Sequence, residues 1–217
     1  FGERSSSLVE LAGGGGQWME GTVSGVATVR GALSNIEVDG ELKVDGFNYG
    51  GTVMGDSQVG IRIRDHSLEA TAQALDKRVQ GEVTMDTIRL MRYDAELRWR
   101  DFDLTPFLPR TILGQTDPLK ARMSGRLDAE GTLRDNFHHA GLELDDFIFH
   151  RKEHAIQAGG EEPIQIAYSN GALRLHQVHL LSPEGAAGKT DLWVSGFVRP
   201  NGPLDVAVKG AVDLSFI

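Results

Sequence analysis

The sequence predicts an all-β fold, an elongated antiparallel sheet with one short helix, and three observations predict it. Period-two alternation recurs along the chain, as in Ile61-Arg62-Ile63-Arg64, Leu97-Arg98-Trp99-Arg100 and Leu173-Arg174-Leu175-His176. Such alternation points side chains to opposite sides of a sheet, one apolar and one wet. Gly is abundant, at 27 residues, while aromatics are only 7% of the chain, a balance suited to many tight turns. The spacers between alternating runs are short, and short loops join antiparallel strands because a parallel crossover needs a dozen residues or more.

In chain order, residues 1–20 stand apart as an N-terminal arm or linker. Phe1 to Leu11 fits a short helix or a frayed arm, and Gly13 to Gly16 then reads as a flexible linker or a tight turn. Residues 21–115 form a first series, with strands expected near 18–29, 36–45, 51–55, 58–64, 67–75, 78–86, 88–93 and 95–101. Turns are expected at Asp45-Gly46, Tyr49-Gly50-Gly51, Met54-Gly55-Asp56, Arg64-Asp65-His66-Ser67, Leu75-Asp76-Lys77 and Asp86-Thr87, where Asp-Gly and Gly-Gly supply the positive φ of hairpin turns. Leu104, Phe107, Leu108, Ile112 and Leu113 are spaced for a short amphipathic helix capped by Asp103 or Thr105, with Pro106 in its first turn. Residues 116–217 form a second series, with strands near 119–133, 138–150, 154–157, 163–169, 171–180, 190–199 and 203–213. Turns are expected at Gly131 to Asn136, Pro183-Glu184-Gly185 and Pro200-Asn201-Gly202, and Asn170-Gly171 is the strongest hairpin signal. The two series echo each other, as in Arg30-Gly31-Ala32-Leu33 and Glu130-Gly131-Thr132-Leu133.

Composition narrows the functional classes. A net charge of −9 and a pI near 5.2, with no long basic run, argue against phosphate-backbone binding and so against nucleic acid. The chain has no Cys, which removes disulfides, thiolate metal ligands and Cys nucleophiles, and fits an oxidising compartment. No run of eighteen apolar residues is present to span a bilayer as a helix. The start at Phe1-Gly2-Glu3-Arg4 and the apolar ending Leu214-Ser215-Phe216-Ile217 read as an excised piece of something longer. An end strand left unpaired predicts edge-to-edge self-association.

No catalytic or metal site is expected, and no cofactor. His138 and His139 are neighbours in a strand and face opposite sides, and His176 and His179 have opposite parity. His150 and His154 share parity but lie too far apart along an extended strand. The acidic pairs Asp145-Asp146, Glu161-Glu162 and Asp101/Asp103 fall at strand ends and turns, where solvated carboxylates are ordinary. Ser24 and Ser195 lack a Gly-x-Ser-x-Gly setting, and Gly13 to Gly16 lacks the Lys-Ser/Thr of a phosphate loop. The chain therefore reads as a non-enzyme.

The apolar sides of the strands are the candidate site. They are Leu42, Val44, Ile61, Ile63, Leu68, Val83, Met85, Ile88, Leu90, Leu97 and Trp99 in the first series. In the second they are Leu142, Leu144, Ile164, Ile166, Leu173, Leu175, Leu192, Val194, Val206 and Val208. Trp18, Trp99 and Trp193 are expected within apolar stripes, either in a core or on a groove wall, and Phe147 and Phe149 pose the same choice. A wide sheet with one greasy side must stack on a second sheet, close on itself or curl over an apolar guest.

Several phrases resemble the AsmA-like and TamB proteins of diderm bacteria. Thr28 to Leu42 resembles their recurring repeat phrase, and the tract from Tyr93-Asp94-Ala95-Glu96-Leu97 to Asp101-Phe102-Asp103-Leu104-Thr105-Pro106-Phe107-Leu108 is similar to their repeat endings. Met123-Ser124-Gly125-Arg126-Leu127 to Leu133 resembles the start of the next repeat, and residues 163–217 read like a following unit. The resemblance implies an open half-pipe, or β-groove, with a hydrophobic concave side. It also implies the periplasmic region of an inner-membrane-anchored protein that carries phospholipid between the two membranes. A related role in outer-membrane protein assembly is implied, with a barrel partner reached through regions outside this segment. The competing expectation is a non-transporting structural or interaction β-domain with a packed interior. A carbohydrate-active domain with carboxylates facing across a cleft is a third.

Overall fold

A computed structural model describes residues 6–7, 19–32, 35–49, 51–88, 90–108, 119–134, 137–199, 202 and 204–213. The first strands are β1 (Ser6–Ser7), β2 (Met19–Ala32), β3 (Asn35–Tyr49), β4 (Thr52–Arg64), β5 (Ser67–Ala74), β6 (Val79–Asp86) and β7 (Arg92–Asp103). After a 3-10 turn at Thr105–Phe107 come β8 (Lys120–Thr132), β9 (Phe137–Arg151), β10 (His154–Ser169), β11 (Ala172–Leu181), β12 (Asp191–Val198) and β13 (Leu204–Ala211). Sheet order is sequence order from β1 to β13, so the all-β antiparallel expectation holds.

Hairpins build this sheet because residues that accept positive φ stand where strands reverse. Asp65 and His66 at φ 46° and 66° join β4 to β5, and Asn170 and Gly171 at 49° and 77° join β10 to β11. Both are the left-handed pairs that suit a two-residue hairpin.

Two of the differences from the expected strands share one physical cause. The strands expected at 51–55 and 58–64 merge into β4, which starts at Thr52, and those at 154–157 and 163–169 merge into β10. Bulges, not turns, occupy the interruptions. Gly46 and Gly55 take φ 63° and 96° inside β3 and β4, where the register shifts between Val44 and Phe47. The register of β10 shifts between Gly159 and Ile164. A bulge absorbs extra residues without ending the ladder. Of the strand expected at 88–93, Arg92 and Tyr93 belong to β7, while Ile88, Leu90 and Met91 precede it in a turn: the Ile88 N–H donates to Asp86 Oδ1 at 2.8 Å and the Met91 N–H to the Ile88 carbonyl at 3.3 Å. Ile88 and Leu90 therefore leave the strand rows. The turn expected from Gly131 starts later, because Gly131 and Thr132 belong to β8.

The helix expected over 104–113 is described only as the 3-10 turn, since Ile112 and Leu113 lie outside the described residues. Neither Asp103 nor Thr105 is the cap: that position falls to Leu104, which makes no side-chain cap bond, and Asp103 Oδ1 accepts the Thr105 N–H at 2.9 Å from one residue further out. Gly13 to Gly16, Trp18 and most of the arm also lie outside.

The chain divides into two compact units, Phe1–Arg98 with Glu130–Phe137, and Trp99–Ala129 with His138–Ile217. Every buried hydrophobic residue among the described ones lies in the second unit: Trp99, Leu119, Ala121, Leu144, Ala155, Ala158 and Ile164. No large side chain is fully buried among the described residues.

Candidate functional site

Residues directly opposite in an antiparallel ladder share a side of the sheet. In the first unit the registers assemble one continuous apolar side over β2 to β6. One row runs Val29–Val38–Ile63–Leu68–Met85 and the next Ala27–Gly40–Ile61–Ala70–Val83. A third runs Gly25–Leu42–Val59–Ala72–Gly81, and Val23 and Val44 begin a fourth. Leu97 joins them, since a Cβ on Gly81 would stand 3.2 Å from its Cδ1.

The reverse side is polar. Its rows include Thr28–Asp39–Arg62–Glu69–Thr84 and Ser24–Lys43–Gln58–Gln73–Gln80, with Val26 opposite Glu41 as the exception. Asp39 accepts from Arg64 at 2.9 Å and from Arg62 at 3.2 Å. These hydrogen bonds, that from Arg64 first, hold its carboxyl below the usual carboxylate range and raise the Arg64 guanidinium in turn.

The second unit repeats the arrangement over β9 to β13. Its rows are Ala140–Tyr168–Leu173–Val198–Leu204 and Leu142–Ile166–Leu175–Gly196–Val206. Phe147–Ala158–Leu180–Leu192–Gly210 and Val178–Val194–Val208 continue them, and Leu144 pairs with Ile164. A bulge at Gln177, φ 22°, shifts the parity, so Leu173 and Leu175 are continued by Val178 and Leu180.

These apolar sides are left open. Val29 is 65% exposed and Leu42 45% in the first unit, and Leu204 is 70% and Val208 60% in the second. Among the described residues of the first unit no hydrophobic residue is buried. Coverage is partial in the second, where Leu144 and Ile164 are buried.

The alternating strand residues named from sequence fall into these rows, apart from Ile88 and Leu90 in the β6–β7 turn. Trp99 follows Leu97 with the same parity in β7 and is buried, its Nε1 without a hydrogen-bond partner among the described residues. Val23, Val29, Val38 and Val59 belong to the rows as well and carry the same period-two signal. Val178 and Leu180 are displaced from the alternation by the bulge at Gln177, while Phe147, one of the core-or-wall candidates, stands in a row.

Trp193 departs from the expected stripe. It pairs with His179 and Lys209 on the polar side and stacks on the His179 ring, centroids 3.8 Å apart and planes 9° apart. The same bulge puts His176 and His179 on one side of the sheet despite their opposite parity. Among the described residues no group of three His, Asp or Glu is placed to hold a metal ion.

The carboxylates have structural work. Asp56 Oδ1 accepts the Gly46 N–H at 2.9 Å and Asp76 Oδ1 accepts the Asp56 N–H at 3.0 Å, bracing the bulge. Asp101 pairs with Arg122 at 3.4 Å, while Asp145, Asp146 and Glu162 are exposed. Among the described residues no helix is long and apolar enough to cross a membrane. The chain matches no family model, no curated protein and no solved structure.

Proposed function

We propose that the chain is a lipid-carrying segment of a periplasmic bridge of the AsmA-like and TamB kind. The apolar side of each unit receives phospholipid acyl chains, and the sheet curls into a half-pipe around them. On this reading the segment belongs to an inner-membrane-anchored protein of a diderm bacterium. It serves lipid passage to the outer membrane and envelope assembly, and any barrel partner is engaged by regions outside it. The proposed role is non-enzymatic.

One observation carries the reading: in the first unit, apolar rows run without interruption across five strands and none of their residues is buried, most being half-buried and Val29, Leu42 and Val83 exposed. A packed sandwich of this size would bury those rows, and exposed apolar surface this contiguous marks a binding surface. Each methylene removed from water contributes about 0.8 kcal/mol, so a few methylenes hold a chain in place. Hydrophobic burial has no preferred direction, which lets the chain slide along a row.

Photocrosslinking tests the proposal. A benzoylphenylalanine at Ile63 or Leu175 is expected to capture phospholipid in cells, and one at Arg62 or Arg174, on the reverse side, is not. Equal labelling on both sides of the sheet overturns it.

A further inference from the structure

We infer that the polar side of β12 carries a glycan-binding platform, the free face of the Trp193 indole held in place by His179. This inference does not depend on the lipid reading, since the platform lies on the reverse side of the sheet from the apolar rows.

Tryptophan is on average a highly buried residue. Trp193 is instead 39% exposed on the wet side of the sheet, with Asp191 and Ser195 at the same parity before and after it in β12. Its ladder neighbours are His179 on β11 and Lys209 on β13, so a described strand flanks it on each side. Two contacts in series fix its ring. Asp191 Oδ1 lies 2.8 Å from His179 Nε2 and orients the imidazole. The indole stacks on that imidazole, centroids 3.8 Å apart and planes 9° apart. With the planes so nearly parallel, one indole face is taken by His179 and the other is turned toward β13. A ring ordered before its ligand arrives loses little freedom on binding.

The free face borders an open hollow of about 610 Å³, whose polar lining is Gln177, Asp191, Ser195 and Lys209. Ser195 stands directly across the ladder from Ala207, and these two small side chains give the hollow its depth. Amide, carboxylate, hydroxyl and ammonium groups thus surround one aromatic face.

A sugar ring matches that arrangement. Its polarised C–H face meets the negative face of the indole, and its hydroxyls both donate to and accept from the surrounding groups. A nucleotide also stacks on aromatic rings, but its phosphate would meet Asp191 in a chain of net charge −9. An aromatic peptide side chain would leave the surrounding polar groups without partners. A single open platform binds weakly, with Kd of about 1 mM.

NMR titration tests this. The chain has three tryptophans, Trp18, Trp99 and Trp193, and W193F identifies the Trp193 indole N–H signal among theirs. Chitotetraose or cellotetraose is expected to move the Trp193 signal, saturating with Kd of about 1 mM, and to leave the Trp99 signal in place. W193A, an exposed substitution, is expected to keep the far-UV spectrum and to abolish saturation transfer to the sugar. H179A keeps the indole but removes its support, and is expected to weaken binding about threefold or more at an unchanged far-UV spectrum. A Trp193 signal unmoved by both glycans up to about 20 mM overturns the inference. So does a signal moved by adenosine monophosphate and by neither glycan, saturation transfer that survives W193A, or an H179A variant that binds like the wild type.

Discussion

Leu42 lies directly across the β2–β3 ladder from Gly25, and its Cδ2 fills the space a Cβ on Gly25 would need, 2.5 Å away. The Glu41 carbonyl oxygen stands 2.9 Å from the same point. Gly25 is thus the recess that seats a large side chain in the apolar rows. Gly40 lies one row away on the same side, with its nearest neighbour at 3.8 Å, ordinary contact. G25A is expected to lose about 1–2 kcal/mol by forcing Leu42 and the ladder apart. G40A is expected to be neutral or up to about 1 kcal/mol more stable, because Ala loses less conformational entropy on folding. Urea unfolding midpoints at unchanged slope check this. Equal losses in the two variants would show that Gly25 is not a packing recess.

A second pair of glycines separates backbone strain from packing. Gly171 and Gly141 both have nothing within 4 Å of a built Cβ, but only Gly171 is left-handed, at φ 77°. G171A is expected to cost about 1–2 kcal/mol from the αL conformation alone. G141A, in extended backbone, is expected not to lose stability. Thermal unfolding of the two variants reads the difference, and a harmless G171A would argue against the left-handed turn that closes β10 onto β11.

Asp39 gives the pH dependence a sign. Its carboxyl is held below its ordinary value by hydrogen bonds from Arg64 and then Arg62. The stability this supplies is present above the unfolded-state pKa of Asp39 and disappears as pH falls through the lower folded-state value. An NMR titration of the Asp39 carboxyl carbon is expected to show R64A raising the midpoint more than R62A, and added salt raising it in the wild type. A midpoint unmoved by R64A would break the assignment.

How much of this was legible in the sequence follows from where parity holds. Ile61 and Ile63 announce their side of the sheet because β4 runs regularly from Gln58 to Arg64 against β5. The same alternation in Leu173 and Leu175 stops being predictive at Gln177, where one extra residue hands the row to Val178 and Leu180. Trp193 looks apolar by residue type, yet its ladder partners His179 and Lys209 put it on the wet side. Asp45-Gly46 carries a hairpin signature and makes a bulge, because Asp56 Oδ1 on the next strand takes the Gly46 N–H. A bulge and a turn ask the same φ of glycine, and only the neighbouring strand decides between them.

The exposed rows predict a dissociation of folding from binding. Val29 and Val83 lie at the two ends of the five-strand surface in the first unit and are 65% and 36% exposed, whereas Ile164 in the second is 4% exposed. A charge placed where water already reaches costs little, and one placed in a buried site costs several kcal/mol. V29D and V83D are therefore expected to keep the wild-type far-UV spectrum and an unfolding midpoint within about 1 kcal/mol of it. I164D is expected to lose about 3 kcal/mol or more. Binding of cis-parinaric acid, followed by its fluorescence, is expected to fall severalfold in V29D and V83D, because each carboxylate must be desolvated beneath an acyl chain. If V29D unfolded as readily as I164D, the first unit's apolar side would have to be covered in solution. If V29D and V83D stayed folded with binding unchanged, acyl chains would have to sit elsewhere than on these rows.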